Sequence, residues 1–98
     1  MNTSLSYSPS EIDGRKMHHR ERLEHHKEEF ERLNSERLQM VDKVIAEKLT
    51  EYSPECFGLY GITRGVIYHT LWISYHTKKL SKFEKLSELN EERGLEHA

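Results

Sequence analysis

Apolar side chains recur along the first half of the chain as Leu23, Phe30 and Leu33, then Leu38, Val41, Ile45, Leu49 and Tyr52, with Met40 and Val44 widening the stripe. Steps of three, four and seven residues put such positions on one face of an α-helix. No proline or glycine interrupts the run from Arg15 to Glu51. Its start is marked by Ser8-Pro9-Ser10-Glu11. A serine caps the free amides, a proline suits the first helical position, and a glutamate three residues on closes a capping box. Pro54 predicts its end, because the residue before a proline is driven out of helical geometry. The first helix is therefore expected over about 9–52, behind a polar, disordered tail at 1–7.

Residues 53–65 hold three of the five glycines (Gly58, Gly61, Gly65) and predict the turn, over 53–63, with Thr63 as the next cap. A second helix is expected over about 64–93, stopped by Gly94. It carries two seams, each with alternating steps of four and three. One is Ile62, Val66, His69, Ile73, His76, Leu80, Phe83, and the other is Tyr68, Trp72, Tyr75, Lys79, Lys82, Leu86, Leu89. Seven of the ten residues from Val66 to Tyr75 are apolar or aromatic, so this stretch needs cover on more than one side. The expected fold is all-α, a long antiparallel helical hairpin associating into a four-helix bundle.

Charge bears on the pairing of the helices. The chain has 15 Lys+Arg and 17 Asp+Glu, a formal net charge of -2. Residues 64–85 carry a net +4 and residues 28–63 a net -4. A fold about residue 57 would set Lys78–Lys85 beside Glu28, Glu29, Glu31 and Glu36.

Composition removes several classes. Hydrophobic residues make up 35% and charged residues 33%, and no apolar run approaches the roughly 20 residues that span a bilayer. The N-terminal segment does not read as a secretory signal, so a cytoplasmic location and no membrane contact are expected. A single cysteine, Cys56, leaves no internal disulfide framework. It is expected to act as a small half-buried hydrophobe, since a hairpin supplies no cleft to activate a thiol. No Gly-rich phosphate loop or metalloprotease motif is present. Catalytic residues, metal ligands and cofactors are each expected to be none.

The histidines need separate treatment. The doublets His18-His19 and His25-His26 are seven residues apart, about 10 Å along a helix. No two of them on this helix can chelate one ion, and both doublets are expected on a solvated face. His69 and His76 lie on the apolar seam. A seam imidazole facing an acid or carbonyl would fix register, and one at an association surface would make that surface pH-sensitive.

The aromatic group Tyr60, Tyr68, Leu71, Trp72, Tyr75 is the expected partner-binding surface, because tyrosine and tryptophan bring large rigid area with a polar edge. The basic group Lys78, Lys79, Lys82, Lys85 is the candidate for nucleic acid. The expected function is a small non-enzymatic protein–protein interaction module, a regulator, adaptor or inhibitor docking its helices on a larger protein and on itself as a homodimer. A nucleic-acid-binding helical dimer and a structural subunit of a larger assembly are the alternatives.

Overall fold

A computed structural model describes residues 7–97, with side chains from Tyr7 to Arg93. The described residues form two long helices, α1 (Pro9–Ala46) and α2 (Pro54–His97), arranged as an all-α hairpin. The expected tail falls on residues of which all but Tyr7 lie outside the described part; Tyr7 itself packs its ring on Phe83.

The start of α1 follows the sequence rule. The Ser8 hydroxyl accepts from the Glu11 amide at 3.2 Å, and the Ser8 carbonyl accepts the first helical bond, from Ile12, at 3.0 Å. The end of α1 differs from expectation by six residues. The Leu49 amide donates to the Val44 carbonyl (3.0 Å) and the Lys48 amide to the Ile45 carbonyl (3.2 Å). These are the two bonds of a Schellman cap, which places Lys48 in the left-handed region, at φ 51°. Glycine normally holds this place because a Cβ is strained there. Lys48→Gly is accordingly expected to stabilise the hairpin by about 0.5–1 kcal/mol, read as a raised urea midpoint with an unchanged slope.

The start of α2 differs more. Ser53, not Thr63, is the cap: its hydroxyl accepts from the Cys56 amide at 3.2 Å and its carbonyl from the Phe57 amide at 3.2 Å. Pro54 thus opens the second helix as well as following the first. The segment 54–63, expected as turn, is helical, none of its glycines having positive φ. At the far end α2 continues through Gly94 to His97. The connection is therefore 47–53, and the hairpin folds near residue 50 rather than 57.

Burial follows one heptad seam per helix. On α1 the inward positions are Ile12, Lys16, His19, Leu23, His26, Phe30, Leu33, Arg37, Met40 and Val44; on α2 they are Leu59, Ile62, Val66, His69, Ile73, His76, Leu80, Phe83, Ser87 and Asn90. The α2 seam is the first of the two expected; the second is mostly exposed, with Tyr68, Trp72, Tyr75, Lys82 and Leu89 on the surface. On α1 the register is shifted: Leu38 and Ile45 are exposed, and Met40 and Val44 point inward. The chain divides into a terminal unit, drawn from Met1–Glu24 and Ser74–Ala98, and a turn unit, His25–Ile73. In the terminal unit the buried residues are Ile12, His19, His76 and Phe83. The turn unit is tied by a 3.8 Å contact from Lys43 to Glu55, and Gly65 admits the Leu33 side chain so closely that a Cβ there would lie 2.9 Å from Leu33 Cδ1.

Candidate functional site: paired histidines and an exposed aromatic stripe

Each unit contains one pair of histidines facing across the hairpin. In the terminal unit His19 Nδ1 lies 2.8 Å from His76 Nδ1, and in the turn unit His26 Nδ1 lies 2.7 Å from His69 Nδ1. His19, His26 and His76 are buried, and His69 is half-buried. A contact of this length needs one hydrogen, so one ring donates Nδ1–H and the other accepts on a bare Nδ1. The expectation that both doublets are solvated is thus corrected. His18 and His25 are exposed, whereas His19 and His26 fill seam positions between Ile12 and Leu33. His69 and His76, expected on the apolar seam, each face a histidine of α1 across the hairpin.

The surroundings of the pairs differ. His19 stacks on Phe83 (ring centroids 5.8 Å, planes 14° apart) and meets Tyr75 edge-on at 6.2 Å. Burial pushes both His19 and His76 below the ordinary imidazole value. Charged neighbours add to it: His18, Lys79 and Arg15 for His19, and His19, His18 and Arg22 for His76. In the turn unit His26 stacks on Trp72 (6.0 Å, 12°) and meets Tyr68 at 6.1 Å. A carboxylate, Glu29, stands near this pair. It is held below its ordinary pKa chiefly by its hydrogen bond from Arg32, with the charges of Arg32, His25 and His69 acting in the same direction. Among the described residues no three His, Cys, Asp or Glu side chains converge as a metal set, and no buried side-chain polar atom lacks a hydrogen-bond partner.

The expected partner-binding residues lie on α2 and are all exposed: Tyr60 62%, Tyr68 53%, Leu71 66%, Trp72 38% and Tyr75 44%. Four of them belong to the turn unit. There Phe57 and Ile67, 60% and 55% exposed, extend the surface. At 100° per residue, Phe57, Tyr60, Ile67, Tyr68 and Leu71 fall within about 100° of arc, opposite the Ile62–Val66–His69–Ile73 seam. Tyr75 belongs to the terminal unit, with Lys79 Nζ 5.8 Å from its ring centre.

The expected neutralisation of Lys78, Lys79, Lys82 and Lys85 by Glu28–Glu36 does not hold. Those glutamates belong to the turn unit. In the terminal unit Lys16 donates to Ser87 Oγ at 3.1 Å and Arg20 lies 3.9 Å from Glu84. The α1 stretch facing the lysine segment is thus itself basic, with Arg15, Lys16, Arg20 and Arg22. The cause is the position of the turn: moving it from 57 to 50 shifts the α1 residue opposite a given α2 position by about 14 residues, four helical turns. Cys56 is free and half-buried as expected, but it lines a cleft of about 320 Å³ with Arg37, Val41, Leu59, Tyr60 and Thr63, where none was expected. No described helix is long and apolar enough to cross a membrane. No protein-family model, curated protein or solved structure matches the chain.

Proposed function

We propose that the chain is a small non-enzymatic protein–protein interaction module, acting as a regulator, adaptor or inhibitor by docking α2 against other helices. The supporting observation is the stripe Phe57–Tyr60–Ile67–Tyr68–Leu71, which lies on the face of α2 turned away from its own hairpin and is more than half exposed at every position. Scattered apolar residues are ordinary on a protein surface, but five on one outward face, with Arg64 between Tyr60 and Ile67, mark a contact face.

The first occupant of the stripe is a second copy of this chain. Phe57, Tyr60, Ile67, Tyr68 and Leu71 lie on one outward face of α2, each more than half exposed, and a second α2 related by two-fold symmetry presents the same face to cover them. A larger protein acts on the module by taking the same stripe in exchange for the second copy. The test is the mass of the purified chain by sedimentation equilibrium, followed with Trp72 emission. The expected result is a dimer at micromolar concentration, with emission shifting to the blue as it forms. A monomer whose emission does not change with concentration overturns the reading.

A second reading, nucleic-acid binding through Lys78, Lys79, Lys82 and Lys85, is favoured by one observation: the α1 stretch facing them adds cations. If each of the four lysines neutralises one phosphate, the affinity for duplex falls with a log–log salt slope of about -3 to -4. The triple variant Lys78→Glu, Lys79→Glu, Lys82→Glu then abolishes binding and leaves the dimer intact. A slope near zero removes this reading.

A further inference from the structure

A buried polar layer in a two-helix hairpin is costly unless its hydrogen bonds are complete. The two histidine layers meet that condition with one hydrogen each, and the chemistry of that hydrogen has a consequence in acid. In the neutral pair one ring carries Nδ1–H and the other carries its proton on Nε2. A first added proton enters at the donor ring's Nε2, leaving the Nδ1–H···Nδ1 bond in place and strengthening it with charge. A second must enter at the accepting Nδ1. That sets two N–H groups against each other at 2.8 Å, with a positive charge on each ring. A shut pair thus takes one proton and rejects the next. Once the helices part, both rings reach water and protonate at the ordinary value near 6.5.

The two layers do not respond equally. Around His19–His76 stand Arg15, His18 and Arg22 from α1 and Lys79 from α2, with Tyr75 and Phe83 beside the rings. The fixed charges of Arg15, Arg22 and Lys79 oppose even the first proton. Around His26–His69 stand His25 and Glu29 from α1 and Tyr68 and Trp72 from α2. Here the nearby carboxylate is shared with Arg32, so the pair stands beside charges of both signs, and His69 is only half-buried.

We propose that the His19–His76 layer is a proton-operated latch, which holds the terminal unit shut at neutral pH and releases it in mild acid before the turn unit opens. This device is independent of what occupies the aromatic stripe. The direction agrees with the pKa displacements. Both imidazoles titrate lower in the folded chain than at their ordinary 6.5. The layer's contribution is therefore whole above pH 6.5 and is lost as the pH falls through the depressed folded values. Release that takes up one or two extra protons shifts the ratio of open to shut by about 10- to 100-fold per pH unit.

Amide hydrogen exchange on the full chain between pH 7.5 and 5, corrected for the intrinsic pH dependence of exchange, reads the two units separately. Protection over 9–24 and 74–93 is expected to fall by that factor per unit below 6.5, while 25–73 keeps its protection further into acid. Two paired variants distinguish the latch from general acid weakening. His19→Leu with His76→Leu substitutes an apolar layer of similar bulk and is expected to flatten the acid response of the terminal unit. His26→Leu with His69→Leu is expected to leave that response in place. A terminal unit whose protection is constant from pH 7.5 to 5 overturns the proposal. So does an acid response that survives in the first variant, or one that disappears equally in the second.

Discussion

Phe83→Ala is expected to destabilise the terminal unit by about 3–5 kcal/mol, the range for truncating a buried phenylalanine. Phe83 is 3% exposed and, with Ile12, is one of two buried hydrophobic residues among the described residues. It touches Tyr7 edge-on (5.4 Å, 86°) and lies flat against His19 (5.8 Å). Its removal costs the transfer of the ring and also strips one wall from the His19–His76 bond, admitting water to a layer that depends on exclusion. Small domains carry only about 5–15 kcal/mol in total, so a loss of this size takes much of the margin. The check is a urea titration together with exchange at amides 9–24 and 74–93. A midpoint change worth less than about 1 kcal/mol would show that Phe83 is not the anchor its burial indicates.

The parts of this fold legible in the sequence are those where one physical preference acts without a rival. The α2 seam from Ile62 to Phe83 is apolar at five of its seven positions, in alternating steps of four and three, and contains no Asp, Glu, Lys or Arg, so its inward face follows from period alone. Ser8 and Pro9 have no competing signal, and they cap α1 as the sequence predicts. At residues 53–65 two preferences compete. Three glycines argue for a turn, each costing about 1 kcal/mol in a helix. Ser53 and Pro54 argue for a helix start, and Leu59, Ile62 and Val66 have a seam to fill if the helix begins there. The start signal and the burial win. The real turn is made of Glu47, Lys48 and Leu49, where lysine occupies a place that sequence rules reserve for glycine.

The histidine layers were hidden for a different reason. Ile12, His19, His26, Leu33 and Met40 recur every seven residues on α1, and that recurrence was the available signal. Polarity obscured it, because an imidazole belongs in a core only when its partner is known. Each partner stands 57 or 43 residues away. Naming it requires the register, and the charge blocks of the sequence point to a different one. Exposed ion pairs contribute only about 0–1 kcal/mol, too little to set register against a seam. Arg32 illustrates this: its carboxylate partners are Glu29 and Glu36, at 2.6 and 2.9 Å, on its own helix. With the turn at 47–53, His19 meets His76 and His26 meets His69. A slip of one turn would set each imidazole against an apolar side chain. The histidines therefore specify the register that the charges were supposed to supply.

Ile67→Asp combined with Leu71→Asp is expected to weaken self-association by at least 100-fold and to change the hairpin's own packing little. The two positions are one helical turn apart on the outer face of α2, 55% and 66% exposed. Substitutions at such places usually alter a fold by under about 0.5 kcal/mol. In the proposed dimer the same side chains become interface core. A carboxylate closed into an apolar contact without a partner costs several kcal/mol, or neutralises itself at the expense of its pKa. Two of them exceed the roughly 2.8 kcal/mol that corresponds to 100-fold in dissociation constant. The measurement pairs sedimentation equilibrium with thermal melts over a range of protein concentration. The unaltered chain should melt higher as it is concentrated, since association stabilises the folded form by mass action. In the double variant the mass should fall to that of one chain and the concentration dependence should vanish. A variant that still sediments as a dimer would show that the second copy sits elsewhere, and the stripe would lose its claim as the docking face.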